Sequence, residues 1–153
     1  MSITNLNVSG MRFENTDFSK HDFYGCNFKD TSFVHCDFSG IKIRMSFFDF
    51  AGFTSCDFIK SDIQFLSFAG ALIDSCNFDG SEITHVNFEG AAIINSSFNN
   101  SNLYNSRFVS ADLDKTSMVN CNLKHVYMVN AKLKNVPTKS SNTAEAIYEM
   151  EEQ

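Results

Sequence analysis

Residues 21–60 read HDFYG CNFKD TSFVH CDFSG IKIRM SFFDF AGFTS CDFIK, and the third residue of every group of five is Phe or Ile. The beat extends in both directions without a miss, from Ile3, Val8 and Phe13 to Met118, Leu123, Met128 and Leu133. That makes 27 consecutive large apolar residues. At the overall apolar content of 43%, chance would produce such a run on the order of one time in 10¹⁰. A period of five fits neither the two-residue alternation of a strand nor the 3.6-residue turn of a helix.

A second, smaller series stands two positions before each beat residue: Cys26, Thr31, Cys36, Ile41, Ser46, Ala51, Cys56 and Ser61, continuing to Val126 and Ala131. Positions two apart on an extended segment share one side, so both series point inward and the other three positions point out. Two positions after the beat, Gly or Asn fills 14 of the 27 sites, residues that accept positive φ and favour a turn. A short extended piece followed by a turn, repeated, coils the chain around a filled axis.

The units CNFKD (26–30), CDFSG (36–40), CDFIK (56–60), CNFDG (76–80), SNLYN (101–105), ADLDK (111–115) and CNLKH (121–125) resemble the A(D/N)LXX motif of the pentapeptide repeat family. The resemblance covers residues 1–136. It implies an all-β fold, a right-handed quadrilateral parallel β-helix with 20 residues per coil, hence 6–7 coils here. At ~4.8 Å between stacked strands the rod would be ~30 Å long. Two opposite interior columns then become nearly pure Phe, and the buried ladder supplies tens of kcal/mol, at roughly 2 kcal/mol per large side chain, against chain entropy.

Residues 137–153 read as a separate tail. Pro137 is expected to stop the coil, and Asn142 with Glu145 resembles a capping box opening a helix of two to three turns. Ala144, Ile147 and Tyr148 would form its apolar stripe, serving as an end cap or, as in family members with C-terminal appendages, as a homodimer contact.

The composition narrows the setting. The N-terminal segment has no basic start followed by an apolar run, so no signal peptide is expected, and no stretch approaches the length of a membrane span. Five cysteines without CxxC spacing point to reduced thiols and a cytoplasmic location. A net charge of −6 argues against a nucleic-acid partner, which calls for clustered Lys and Arg. No nucleophile–base pair, phosphate loop or metal-ligand spacing suggests an enzyme or a cofactor.

Two surfaces stand out. Met45, Phe50 and Phe65 occupy turn sites where this chain otherwise prefers small or polar residues, and Phe47 lies around the corner from Met45. Rule-breaking apolar residues point to a protein partner; the alternative is that they cover one another or lie under the tail. Residues 61–106 carry Asp62, Asp74, Asp79, Glu82 and Glu89 with no Lys or Arg. The family resemblance gives this acidic band a meaning, because some members act as DNA mimics that bind gyrase, a type II topoisomerase, and give quinolone protection. Asp17, Asp37 and Asp57 form an acidic column read as backbone-bonding, Cys36, Cys56 and Cys76 as column filler, and His21 as a satisfied inward polar residue. His85 and His125 lie two coils apart, too far to share a metal. The preferred reading is a non-enzymatic protein-binding scaffold, with the gyrase ligand as its alternative.

Overall fold

The computed structural model describes residues 1–150. Residue i pairs in parallel with residue i+20 throughout, as in Ser2↔Asp22 and Arg12↔Ser32. One sheet stacks Ser2–Thr4, Asp22–Tyr24, Lys42–Arg44, Asp62–Gln64 and Glu82–Thr84. A seven-stranded sheet stacks Arg12–Glu14, Ser32–Val34, Gly52–Thr54, Leu72–Asp74, Ala92–Ile94, Asp112–Asp114 and Lys132–Lys134. Between these sheets run two columns of single bridges, one from Asn7 through Asn27, Phe47 and Ser67 to Ile147, the other from Asp17 to Ser117. The result is a four-sided parallel β-solenoid of about seven turns. We number its faces in chain order by their central residues: Ile3, Val8, Phe13 and Phe18 open the first to fourth.

Sequence dictates this geometry at three positions of each five. The beat residues fill the axis, and the Phe on the beat from Phe23 to Phe108 are essentially without solvent contact. On the second face Phe28, Phe48, Phe68, Phe88 and Phe108 stack at 4.7–5.2 Å, and on the fourth Phe18, Phe38, Phe58, Phe78 and Phe98 stack at 4.6–4.9 Å. Rings from the opposite second and fourth faces meet edge-on, as Phe98 and Phe108 do at 90°, so both favoured aromatic geometries alternate through the core.

The Ser, Thr and Cys side chains of the small column are hydrogen-bonded. Ser106 Oγ donates to Ile83 O at 2.8 Å, Thr116 Oγ1 to Ile93 O at 3.1 Å and Cys56 Sγ to Phe33 O at 3.4 Å. These side chains close the inner corner of each coil with bonds a larger residue could not make.

The turn position takes positive φ at every fifth residue from Asn5 to Ser140, with Lys20 the one exception. The position before each beat often carries Asn or Asp, whose side-chain oxygen accepts the N–H two residues on: Asp17 from Ser19 N, Asp37 from Ser39 N and Asp57 from Ile59 N, each at 2.8 Å. Asp17, Asp37 and Asp57 are thus local backbone acceptors, as their motif position suggests.

The tail departs from expectation. In place of a two- to three-turn helix there is one 3-10 turn, Thr143–Glu145. The coil passes through Pro137, whose carbonyl accepts from Met118 N at 2.9 Å; proline forfeits only its own N–H. Ser141 takes a small-column role, donating to Met118 O and accepting from Cys121 N. Ile147 bonds Val126 O and Met128 N in the ladder. Asn142 does not cap: its Oδ1 accepts from Leu123 N, while its amide meets Glu145. The reason is competition, since a short helix is marginal alone while the last coil offers open backbone partners. Ala144, Ile147 and Tyr148 therefore form no common stripe; Ala144 and Tyr148 are exposed and Ile147 is half-buried. Glu151 and Glu152, the end of the expected helix, lie outside the described residues.

Candidate functional site: the second face and its two corners

The stacked core leaves the outer walls, and the open N-terminal end around Ile3, Val8, Phe13 and Phe18, for recognition. Among the described residues, groups of His, Cys, Asp and Glu able to hold a metal ion are absent, and no helix is long and apolar enough to cross a membrane. The five thiols are all buried. Burial pushes the Cys36 and Cys121 thiols up from their ordinary range, and hydrogen bonding to Cys56 together with burial does the same to Cys76. Such thiols are poor nucleophiles.

The four apolar candidates do gather on one side. The corner between first and second faces carries Asn5, Gly25, Met45, Phe65, His85 and Asn105, and the corner between second and third carries Gly10, Asp30, Phe50, Gly70 and Gly90. Phe47 stands on the second face between them. Exposure is 67% for Met45 and Phe50, 51% for Phe65 and 48% for Phe47. The tail does not cover them, because it seats on residues 118–128, at the far end of the rod.

Each of these residues forgoes a favourable local choice. Met45, Phe50 and Phe65 hold φ of 50°, 59° and 56°, a left-handed region that costs a side-chain-bearing residue ~1–2 kcal/mol and glycine nothing. Phe47 replaces an Asn or Asp that would accept a backbone N–H, a bond of about 1 kcal/mol. Their contacts compensate in part. Phe65 stacks on His85 at 4.7 Å, Lys29 lies 5.0 Å from the Phe47 ring, and the Phe50 ring lies over Gly70, where a Cβ would meet it at 2.5 Å. Met45 and Phe65 also wall a mostly apolar groove of about 500 Å³ with Tyr24, Gly25 and Arg44.

Leu72, 53% exposed on the third face beside the Phe50 corner, was missed by sequence reasoning. Its signal was there: it occupies the motif's Asn/Asp position with an apolar residue. His21 also differs from expectation, because its Nδ1 is buried without a hydrogen-bond partner among the described residues.

The acidic residues do not form a surface. Asp62 and Glu82 lie on the first face, Asp74 on the third, Asp79 on the fourth and Glu89 on the second. Most are engaged locally. Asp62 bonds Arg44 at 2.9 Å and Gln64 at 2.8 Å, Asp79 accepts from Ser97 and Asn99, Glu82 accepts from Asn102 at 2.9 Å, and Asp74 accepts from Ser75 at 2.9 Å. Burial opposes ionisation of Asp62, but the Arg44 hydrogen bond and charge prevail and hold its carboxyl below the usual range.

The model of the pentapeptide repeat region matches residues 7–83 and 81–148. The chain belongs to the pentapeptide repeat family. No curated protein matches it. Among solved structures it is similar to trypsin-treated QnrB1 carrying R167E, a plasmid-mediated fluoroquinolone resistance protein, at 19% identity and TM-score 0.51, covering 92% of this chain and 72% of that one. It is also similar to HetL, a pentapeptide repeat protein involved in heterocyst differentiation regulation from the cyanobacterium Nostoc sp. strain PCC 7120, at 11% identity and TM-score 0.43, covering 95% and 90%. At such identities the likeness concerns the fold.

Proposed function

We propose that this pentapeptide repeat protein is a non-enzymatic, cytoplasmic binding scaffold whose second face, with the corners bearing Met45, Phe47, Phe50 and Phe65, docks a protein partner. One observation carries the reading: four large apolar side chains stand exposed on one side at positions where Asn, Asp or Gly would be more stable. A scaffold tolerates that cost where the residues make contacts outside the chain. Stacked rings fill the axis from Phe28 to Phe108, and an apolar cavity of about 280 Å³ opens at its N-terminal end, walled by Ile3, Val8, Phe13 and Phe18.

The test compares full-length protein with the Phe47→Ser/Phe65→Ser double variant as baits in affinity capture from the native host. The variant should lose the wild-type partner while its melting curve stays within about 3 °C. Retention of that partner by the variant rejects the site.

The alternative, a DNA-mimicking gyrase ligand, draws support from the rod shape, the net charge of −6 and the fold likeness to a fluoroquinolone resistance protein. Its acidic band is split over four faces. A gyrase supercoiling assay with and without a quinolone decides it: no effect at micromolar protein removes this alternative.

A further inference from the structure

We propose that the N-terminal end of the rod docks a second copy of the chain, end to end, about a two-fold axis perpendicular to the rod. The axis leaves through the corner between Gly10 and Met11. The second face stays free in this dimer, so the inference goes beyond the docking reading and does not rest on it.

The end is open in two respects. Ser2–Thr4 and Arg12–Glu14 are the outermost strands of their sheets. In the next coil Asp22, Asn27, Ser32 and Asp37 donate their N–H groups to the coil before, and the carbonyls of Tyr24, Asn27, Lys29, Val34 and Asp37 accept from it. The first-coil counterparts are the N–H groups of Ser2, Asn7, Arg12 and Asp17 and the carbonyls of Thr4, Asn7, Ser9, Glu14 and Asp17. They have no backbone partner among the described residues, an edge that natural sheets normally cover. Inside this rim lies the apolar cavity of about 280 Å³. Leu6 and Met11, at small-column positions, do not close it and remain 36% and 48% exposed.

The staircase of the coil fixes the axis. Pairing of i with i+20 makes the rim rise by one strand spacing per circuit. A perpendicular two-fold preserves the hand of the coil and turns the second rod upside down. With the axis through the Gly10–Met11 corner, residues 1–20 of one copy face residues 20–1 of the other, one strand spacing away on all four sides. An axis through any other corner or face leaves part of the rim a full strand spacing further apart than the rest.

The junction is antiparallel, and its hydrogen-bond phase fits. Thr4 with Asp17 of the second copy, and Asn7 with Glu14, each exchange two backbone bonds. The N–H groups of Ser2 and Arg12 reach the carbonyls of Ser19 and Ser9. Between these lie the non-bonded pairs Ile3–Phe18 and Val8–Phe13, all inward, so the axial ladder continues from one rod into the next. Met11 meets Gly10, beside which space is free. On the outside Arg12 faces Ser9, Glu14 faces Asn7 and Asp17 faces Thr4, with no like-charged side chains opposed. At the other end of the axis the two Met1 residues meet beside Lys20. Met1 is 83% exposed and lies outside its strand, so it turns outward, leaving the neighbouring amino groups as the one repulsive contact.

A second copy is the occupant because only a partner with the same four-sided rim pairs every edge at once; a single peptide strand would pair one side and leave the cavity open. Each side is about 16 Å long at ~3.3 Å per residue, a small footprint among stable interfaces, so the dimer should form at micromolar concentration.

Sedimentation equilibrium of the full-length chain from 1 to 100 µM tests this. Wild type should be dimeric at the upper end. Arg12→Pro and Ser2→Pro each delete an N–H that the single rod leaves unpaired, and each should raise the dimer Kd at least tenfold. Thermal melts confirm that the variants are folded; Ser2→Pro, at the end of the chain, decides if Arg12→Pro is not. Ser9→Glu, facing Arg12 of the second copy, should tighten the dimer roughly threefold, and Ser9→Lys should weaken it as much. This pair reads the register, since an axis through Phe13 would set Ser9 against Asp17 and invert both signs. A wild type monomeric at 100 µM, a folded Ser2→Pro variant that still dimerises, absent or inverted Ser9 effects, a dimer dissolved by Tyr148→Asp, or growth beyond the dimer each overturns the proposal.

Discussion

Phe58 is the most informative single probe of the ladder. Its ring is fully buried and lies between Phe38 and Phe78 at 4.6 Å on either side, with interplanar angles of 4° and 8°. It also meets Phe53 edge-on at 5.6 Å. Truncation to Ala removes on the order of 150–200 Å² of apolar burial, about 4–5 kcal/mol at 25 cal/mol per Å², and rigid neighbouring coils leave little room for the cavity to collapse. The expected loss is therefore about 4–5 kcal/mol, read as the shift of a urea unfolding curve. Phe18→Ala provides the internal standard. Phe18 is also stacked, on Phe38 at 4.9 Å, but it belongs to the first coil, with no ring below it. Its loss should be roughly half as large. Because each coil touches only its neighbours, Phe58→Ala should also speed amide exchange in the coils adjoining it more than in those at the ends. A loss below about 2 kcal/mol for Phe58→Ala, or equal losses at both sites, would refute the stacked-ladder account.

Phe65→Asn should be neutral or stabilising by up to about 1 kcal/mol in thermal unfolding, since Asn tolerates the left-handed turn better; a loss above 1 kcal/mol would show that the His85 stack outweighs backbone strain. Asp62 has a lowered folded-state pKa, so its contribution is present above about pH 4, its unfolded value, and is lost as pH falls through the folded value. Asp62→Asn should remove that component, at most ~1 kcal/mol for a half-exposed pair, and a pH–stability profile unchanged by the substitution would contradict it. The five buried thiols should react with an aromatic disulfide reagent at pH 8 only after denaturant is added. Prompt reaction of even one in native protein would mean that the small column breathes.

How much was legible in the sequence follows from which residues face the axis. Phe28 or Cys56 has one place to go once the beat is recognised, because an inward position admits only side chains that fit the stack. The turns were legible for the same reason: Asn95, Asn100 and Asn105 announce the positive φ they adopt. The tail misled because Asn142, Glu145, Ile147 and Tyr148 carry a local helical pattern, whereas the ladder supplied stronger partners. The overlooked signal was the small column, which continues as Val136, Ser141 and Ala146 after the large beat has ended. Outward residues were the least legible, since nothing in the core restricts them. Met45 and Phe65 could be aligned by counting twenties, but that Phe50 flanks the same face from its opposite corner, or that Asp74 and Asp79 lie on different faces, emerges only when the string is wound.

The twenty-residue register also determines how this rod can change. Removing one pentapeptide would leave every interior stack filled, yet all decoration beyond the cut would rotate by a quarter of a circuit. Removing four would shorten the rod by one storey and restore the original compass bearing. Length and heading are thus separately adjustable by deletion or duplication, without redesigning a single contact inside.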